Sequence, residues 1–252
     1  MENVGAIVLA AGRGVRMQSE LPKVCHELNG QPLIQHVLNS VFAAGIKNVY
    51  VVIGHKADLV REQCKDFSVT FVEQTERLGT GHAVKQVEPF LKDGSQTLIV
   101  LNGDTPLITS DTIKKVINHH KKSKSKATLL TAEFTDPAGY GRIIRNDDGI
   151  VVKIVEDKDA SLSEKSVREI NTGTYCFEMK HLFSSLKKLK PDNAQGEYYL
   201  TDTIKLLNDS DIGVSAVVAE DYRETLGINT VSDLEAASQI MKTRVAYVPV
   251  SN

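Results

Sequence analysis

Apolar and polar positions follow two rhythms along the first half of this 252-residue chain. Short, nearly continuous β-branched runs recur: GAIVLAA from Gly5, NVYVVIG from Asn48, VTFVEQ from Val69 and TLIVLNGD from Thr97. Runs of this kind, bounded by Gly, Asn or Asp, predict strands. Between them the period lengthens. In PLIQHVLNSVFAAG from Pro32, the residues Leu33, Val37, Val41 and Ala44 share one face of a helix. Strand, helix, strand, helix in that order predicts an α/β, Rossmann-like fold with a parallel sheet and right-handed crossovers.

After about residue 127 the rhythm changes. ATLLTAEF from Ala127 and GRIIRNDDGIVVKIVE from Gly141 read as strands, and the Asn-Asp-Asp-Gly centre of the second reads as a hairpin turn. The sheet is therefore expected to be mixed, mainly parallel with an antiparallel subregion. NTGTYCFE from Asn171 and GVSAVVAED from Gly213 read as further strands, and Val231–Ala246 as a terminal helix with Ser232 or Asp233 near its N-cap. No low-complexity segment or fixed-period repeat interrupts the chain.

Composition changes this picture little. The formal net charge is -2, with 41% hydrophobic and 25% charged residues, which gives no basic surplus of the kind that nucleic-acid binding needs. Cys25, Cys64 and Cys176 stand at scattered spacings that match neither a disulfide framework nor a CxxC metal site, so a reducing cytoplasm is expected. The apolar start, MENVGAIVLAAG, is short and soon broken by Gly and Arg, and reads as a first strand, not a signal peptide or a membrane span. The basic run from Lys114 to Lys126 reads as a solvated helix face.

Candidate chemistry gathers first in VLAAGRGVRMQSELPKV, Val8 to Val24. A glycine turn between the first strand and the first helix lies at the carboxyl end of a parallel strand, where open α/β sheets bind ligands. Backbone N–H groups in such a turn form a nest for phosphate oxygens, and Arg13, Arg16 and Lys23 add full charges. The dinucleotide fingerprint is excluded because Met17 stands where its third glycine belongs, and the P-loop motif is absent. Taken alone, the turn is equally a tight bend with arginines facing water.

Other segments narrow the reading. LAAGRGVRM followed by LPKV resembles the signature of sugar-phosphate nucleotidyltransferases. QTERLGTGHAV from Gln74, NGDTPLI from Asn102, GYGRIIR from Gly139, IVEDKDA from Ile154, EINTGTY from Glu169 and NAQGEYYLTD from Asn193 come after it in order. Together, from about Val4 to about Ala237, they resemble the uridyltransferase domain of the bacterial bifunctional N-acetylglucosamine-1-phosphate uridyltransferases. NAQGEYYLTD is the most specific of these strings.

That resemblance implies transfer of UMP from UTP to N-acetylglucosamine 1-phosphate, with Mg²⁺ as cofactor and pyrophosphate as second product. It implies Arg16 and Lys23 as catalytic cations. It implies a nucleotide site from Leu9, Ala10, Ala11, Gly12, Arg13, Gly14, Lys23, Gln74, Gly79, Thr80, Asn102, Gly103 and Asp104, with Gly79 and Gly81 letting main chain approach a flat base. Gly141, Glu156, Asn171, Tyr198, Thr201 and Asn229 match the sugar positions, and Asp104 and Asn229 the metal positions. Because attack by a phosphate oxygen needs no general base, His82 is expected to be a helix-start residue. Residues 1–229 are expected to form the nucleotidyltransferase domain and 230–252 a C-terminal helix and tail, the helix acting as a linker or a lid.

The chain departs from the family pattern at Val15, where Thr is frequent, and at Asn102, where an aromatic residue is frequent. No hexapeptide repeats of the bifunctional family's acetyltransferase domain are present, so no acetyltransferase activity is expected of this chain, and a monomer or dimer is expected instead of the family's trimer. No nucleic-acid or membrane partner is expected. Two rival readings stay open: a nucleotidyltransferase for another sugar phosphate or a non-sugar acceptor, and a non-catalytic protein that binds UDP-sugars.

Overall fold

The computed structural model describes residues 3–17, 19–91, 96–210 and 213–246. The expected tail beyond the last helix lies outside the described residues. Strand β1 (Val4–Ala10) leads through a small hairpin, β2 (Glu27–Leu28) and β3 (Gln31–Pro32), into α1 (Leu33–Ala43). Then come β4 (Asn48–Ile53), α2 (Ala57–Gln63), β5 (Thr70–Glu73), α3 (Thr80–Lys85), β6 (Thr97–Asn102) and α4 (Ser110–Ser123). The second half runs β7 (Ala127–Glu133), β8 (Arg142–Arg145), β9 (Val151–Val155), α5 (Leu162–Lys165), β10 (Glu169–Glu178), α6 (Met179–Leu186), α7 (Asp202–Asn208), β11 (Val214–Val218) and α8 (Val231–Ala246).

The main sheet has the order β11-β7-β10-β6-β1-β4-β5. β1 lies parallel to β4 and β6, and β4 parallel to β5, as crossovers through helices require. β10 is the antiparallel insert between β6 and β7, and β8 pairs with β9 and, through Arg142, with β10. β11 then returns parallel to β7, so the second half is less uniformly antiparallel than its sequence suggests. The sheet is mixed and mainly parallel, consistent with the Rossmann-like expectation.

Both faces of the sheet are covered, which is why its strands are apolar at nearly every position. Val4, Ala6, Val8 and Ala10 of β1 enter one core layer, beneath α1, α2 and α4, while Ile7 enters the other, beneath α3, α6 and α7. Leu33, Val37 and Val41 of α1 are fully buried and Ala44 nearly so, as the spacing predicts. The β8–β9 turn is the expected one: Gly149 N–H donates to Asn146 O (2.9 Å) and Gly149 adopts φ +77°. One residue of the basic run departs from its solvated reading. His120 is buried, with Nδ1 2.9 Å from the Thr128 hydroxyl, because α4 turns that face onto β7. No helix among the described residues is long and apolar enough to cross a membrane.

Candidate active site

β1, β4 and β6 end together, with Leu9 in register with Asn102 and Ala10 with Ile53. The segments leaving these strands therefore open on one edge, where residues from distant parts of the chain converge. Gly14 sits at φ +65°, and a Cβ there would fall 2.5 Å from Lys23 Cβ. Only glycine permits both the backbone angle and this approach, which brings Lys23 over the loop.

Lys23 Nζ forms an ion pair with the Asp104 carboxylate, the two side chains being 18% and 17% exposed. The same ammonium donates to Asn229 Oδ1 (2.9 Å), and Arg16 Nη2 donates to that oxygen from the other side (2.8 Å). Two features fix Asn229 here. Ile228 N–H donates to Asp104 O (2.9 Å), stitching the segment before α8 to the end of β6. Thr230 and Asp233 cap the helix reciprocally: Asp233 N–H donates to Thr230 Oγ1 (3.1 Å), and Asp233 Oδ2 accepts from Thr230 N–H (2.9 Å) and Asn229 N–H (2.8 Å). The N-cap is thus Thr230, not Ser232, and Asp233 completes the cap from within the first turn.

Two hollows adjoin at this knot. The first, of about 510 Å³, is lined by Leu9, Ala10, Ala11, Gly12, Arg13, Lys23, Gln74, Gly79, Thr80, Asn102 and Asp104, all expected nucleotide-binding residues. Gly14 and Gly103 stand behind it, where they allow Lys23, Leu9 and Val24 to pack closely. The second, of about 210 Å³, is lined by Arg16, Gly141, Glu156, Asn171, Thr201 and Asn229, all but Arg16 expected sugar-binding residues. Leu9, Thr80, Asn102 and Asp104 line both.

Tyr198 departs from its expected place. It lines neither hollow; its ring lies beside His82, 6.5 Å between centroids, and its main chain binds the 78–81 loop. Tyr198 N–H donates to Leu78 O (2.7 Å), Gly81 N–H to Tyr198 O (2.8 Å), and Leu200 N–H to Thr80 Oγ1 (3.0 Å). This pairing gives the glycines in LGTGHA a further reason. A Cβ at Gly79, where φ is +108°, would fall 2.7 Å from Tyr198 O, and one at Gly81 2.5 Å from Leu189 Cδ1. They make room for the chain's own 189–200 segment.

Gln74 is buried, with Nε2 donating to Gly79 O (3.0 Å) and lying 3.1 Å from His82 Nδ1. With its amide nitrogen engaged, its carbonyl oxygen is the end left for a ligand. His82 sits in the first turn of α3 between Gln74 and Gln86, in keeping with a helix-start role.

In the second hollow, burial first pushes the Glu156 carboxyl above the usual carboxylate range, nearby Asp202, Asp159 and Asp157 add to this, and the Thr201 hydroxyl, donating to Oε1 (3.0 Å), opposes it. Asn171 Nδ2 donates to the Tyr175 hydroxyl (2.7 Å), and Asn171 N–H to Gly141 O (2.8 Å). The NTG string is not a strand start but a bulge inside β10: Asn171 pairs with Thr131 and Tyr175 with Leu129, so the extra residues swing Asn171 and Gly173 into the hollow.

Sequence reasoning missed Arg77 and Glu197 in the first hollow and Tyr140, Tyr175 and Gly227 in the second. All five lie within or next to the motif strings or the 228–229 segment, so adjacency was the available signal. Tyr140 is set by an edge-on contact with Phe134, 4.9 Å between centroids.

A divalent metal fits this site by its donor chemistry. Asp104 and Asn229 present a carboxylate and a neutral amide oxygen close enough to share one ammonium, a donor pair suited to a hard cation that completes its shell with phosphate oxygens and water. Among the described residues no three His, Cys, Asp or Glu side chains cluster as metal ligands.

Comparison with known proteins identifies the lineage. The MobA-like NTP transferase domain family matches residues 6–202. The chain belongs to this family. It is 49% identical to the bifunctional protein GlmU of Halalkalibacterium halodurans over 245 residues, 97% of this chain and 54% of that protein. It is 49% identical to GlmU of Acetivibrio thermocellus, covering 53% of it, and 50% identical over 240 residues to GlmU of Streptococcus uberis, covering 52%. The chain spans about half the length of these relatives. The family match ends near Asp202, so Asn229 and α8, which complete the knot, lie beyond it.

Proposed function

We propose that this chain transfers UMP from UTP to N-acetylglucosamine 1-phosphate, giving UDP-N-acetylglucosamine and pyrophosphate. The observation that carries the reading is the seam itself: two adjoining hollows share Leu9, Thr80, Asn102 and Asp104, with Lys23 at the edge of one and Arg16 in the other. A reaction between two polyanions needs this arrangement, because mutual repulsion is the first barrier to bringing them together.

In this reading a phosphate oxygen of the sugar phosphate attacks the α-phosphorus of UTP in line. The bond from that phosphorus to the β-phosphate oxygen breaks, and pyrophosphate leaves with the electron pair. No proton need move, since the attacking oxygen is already anionic. Backbone N–H groups of Gly12, Arg13 and Gly14 cradle the leaving phosphates, Lys23 holds the α-phosphate, and Arg16 meets the incoming phosphate. Gln74, its nitrogen tied to Gly79, offers its oxygen to a base edge that carries an N–H donor, as uracil does at N3. Gly141, Glu156, Asn171 and Thr201 give the sugar hydroxyls and acetamide their hydrogen-bond partners.

Mg²⁺ is the metal we assign to Asp104 and Asn229; when bound there it neutralises phosphate charge. Residues 1–229 form the nucleotidyltransferase unit in this reading, with α8 supplying the cap that orients Asn229. The setting is cytoplasmic, in keeping with three buried free thiols at Cys25, Cys64 and Cys176.

The test is pyrophosphate release with UTP and N-acetylglucosamine 1-phosphate, run beside glucose 1-phosphate and glucosamine 1-phosphate. A site that pairs the acetamido group discriminates strongly against sugars lacking it. Equal rates with glucose 1-phosphate would refute the acceptor assignment, and no release with any of the three would refute the activity.

A further inference from the structure

Arg142 is 2% exposed and has no part in either hollow's lining. Its guanidinium nonetheless touches both segments that frame the second hollow. Nη1 donates to the Tyr140 carbonyl, and Nη2 pairs with Asp157 Oδ1 (3.2 Å). Tyr140 precedes Gly141, and Asp157 comes directly after Glu156.

The backbone of Arg142 extends the same pattern. It pairs across the sheet with Val155, which precedes Glu156, and with Ile170, which precedes Asn171. Each of Gly141, Glu156 and Asn171 therefore stands one residue from something Arg142 holds. The Arg142 Nε atom is buried without a hydrogen-bond partner among the described residues. An interior arginine with an unmet donor is a poor way to gain stability, since an apolar side chain of similar length would fill the space without that penalty. The contacts it does make are aimed at the hollow's frame.

We propose that Arg142, with Asp157, is a positioning residue for the acceptor: it fixes the spacing of Gly141, Glu156 and Asn171 without touching the ligand. The inference rests on the assignment of that hollow to the sugar phosphate. The first hollow is framed by the segments that leave β1, β5 and β6, none of which Arg142 contacts, so the effect is specific to one substrate.

The experiment is steady-state kinetics of Arg142→Lys and Asp157→Asn. Lysine keeps the charge but cannot bridge Tyr140 O and Asp157 together. The expected result is a KM for N-acetylglucosamine 1-phosphate raised about tenfold in Arg142→Lys, and less in Asp157→Asn, with the KM for UTP within about twofold of wild type. A merely structural role would shift both substrates alike. Equal rises in both KM values, or no change in either variant, would overturn the proposal. Should Arg142→Lys fail to fold, Asp157→Asn carries the test, because that side chain is 30% exposed. A wild-type chain that turns over none of the sugar phosphates overturns the functional reading and this proposal with it; an active wild type with unselective variants overturns this proposal alone.

Discussion

Lys23 and a metal compete for the same oxygens, and the competition can be measured. Lys23 Nζ engages the Asp104 carboxylate and Asn229 Oδ1, the two oxygens assigned to the metal. Both members of the ion pair are less than a fifth exposed, so solvent screening leaves most of the interaction intact. A hydrogen bond to a charged group is worth about 1.5–3 kcal/mol net, and about 1.4 kcal/mol is tenfold in an equilibrium constant. Lys23→Met should therefore bind Mn²⁺ about 10- to 100-fold more tightly than wild type in the absence of nucleotide. Electron paramagnetic resonance titration of free Mn²⁺ reads this directly. Arg16→Met should show a smaller gain, because Arg16 contacts Asn229 and not Asp104. Adding Asp104→Asn to Lys23→Met should remove the tight binding. The same Lys23→Met variant should lose about 10²- to 10³-fold in kcat, as expected when a charged group aimed at the transition state is removed. Metal affinity in Lys23→Met equal to or weaker than wild type would refute the competition; tight binding that survives Asp104→Asn would place the metal elsewhere.

Three further outcomes are expected. Asp104→Ala should abolish pyrophosphate release while the far-ultraviolet circular dichroism stays that of the folded protein, since Asp104 is the only carboxylate assigned to the metal; near-normal turnover would move the site. Gly79→Ala places a Cβ 2.7 Å from Tyr198 O at φ +108° and should cost about 1–3 kcal/mol, read as a thermal midpoint lower by roughly 3–10 °C; an unchanged midpoint would mean that the 197–200 segment yields freely. Burial pushes His120 from 6.5 down to about 4, so the folded state favours the neutral ring. Its contribution is present above the unfolded value and lost as pH falls from about 6.5 towards 4, which amounts to roughly 2 kcal/mol between pH 7 and pH 5. Chemical denaturation across that range should show the loss, and His120→Gln should flatten it.

Much of the fold was legible because burial on both faces leaves a plain mark. The runs at Gly5, Asn48, Val69 and Thr97 each became a strand, trimmed by a residue or more at an end, and Leu33, Val37, Val41 and Ala44 each reached the core. Position in the parallel sheet also located the glycine loop on its carboxyl edge, and the register of Leu9 with Asn102 brings Asp104 to the same edge. The bulge at NTG was not legible for a physical reason: a bulged strand and a regular one use the same residues there, and only the offset between Asn171–Thr131 and Tyr175–Leu129 separates them.

The order of apolar runs and the glycine turn gave the parallel half of the sheet and the loop at its carboxyl edge, since these depend on local backbone preference and on period; most residues lining the two hollows came instead from the resemblance that the motif strings carry. What the chain order could not decide is who pairs with whom across long separations. Asn229 meets Lys23 through a bond between Ile228 and Asp104 and a cap made by Thr230 and Asp233. Gly79 and Gly81 make room for the 189–200 segment, Tyr198 turns to His82, and Arg142 reaches Tyr140 and Asp157 at once. Each of these is a contact between surfaces that only folding brings together, and its energy comes from leaving water in a common interior, where a one-dimensional pattern carries no distance.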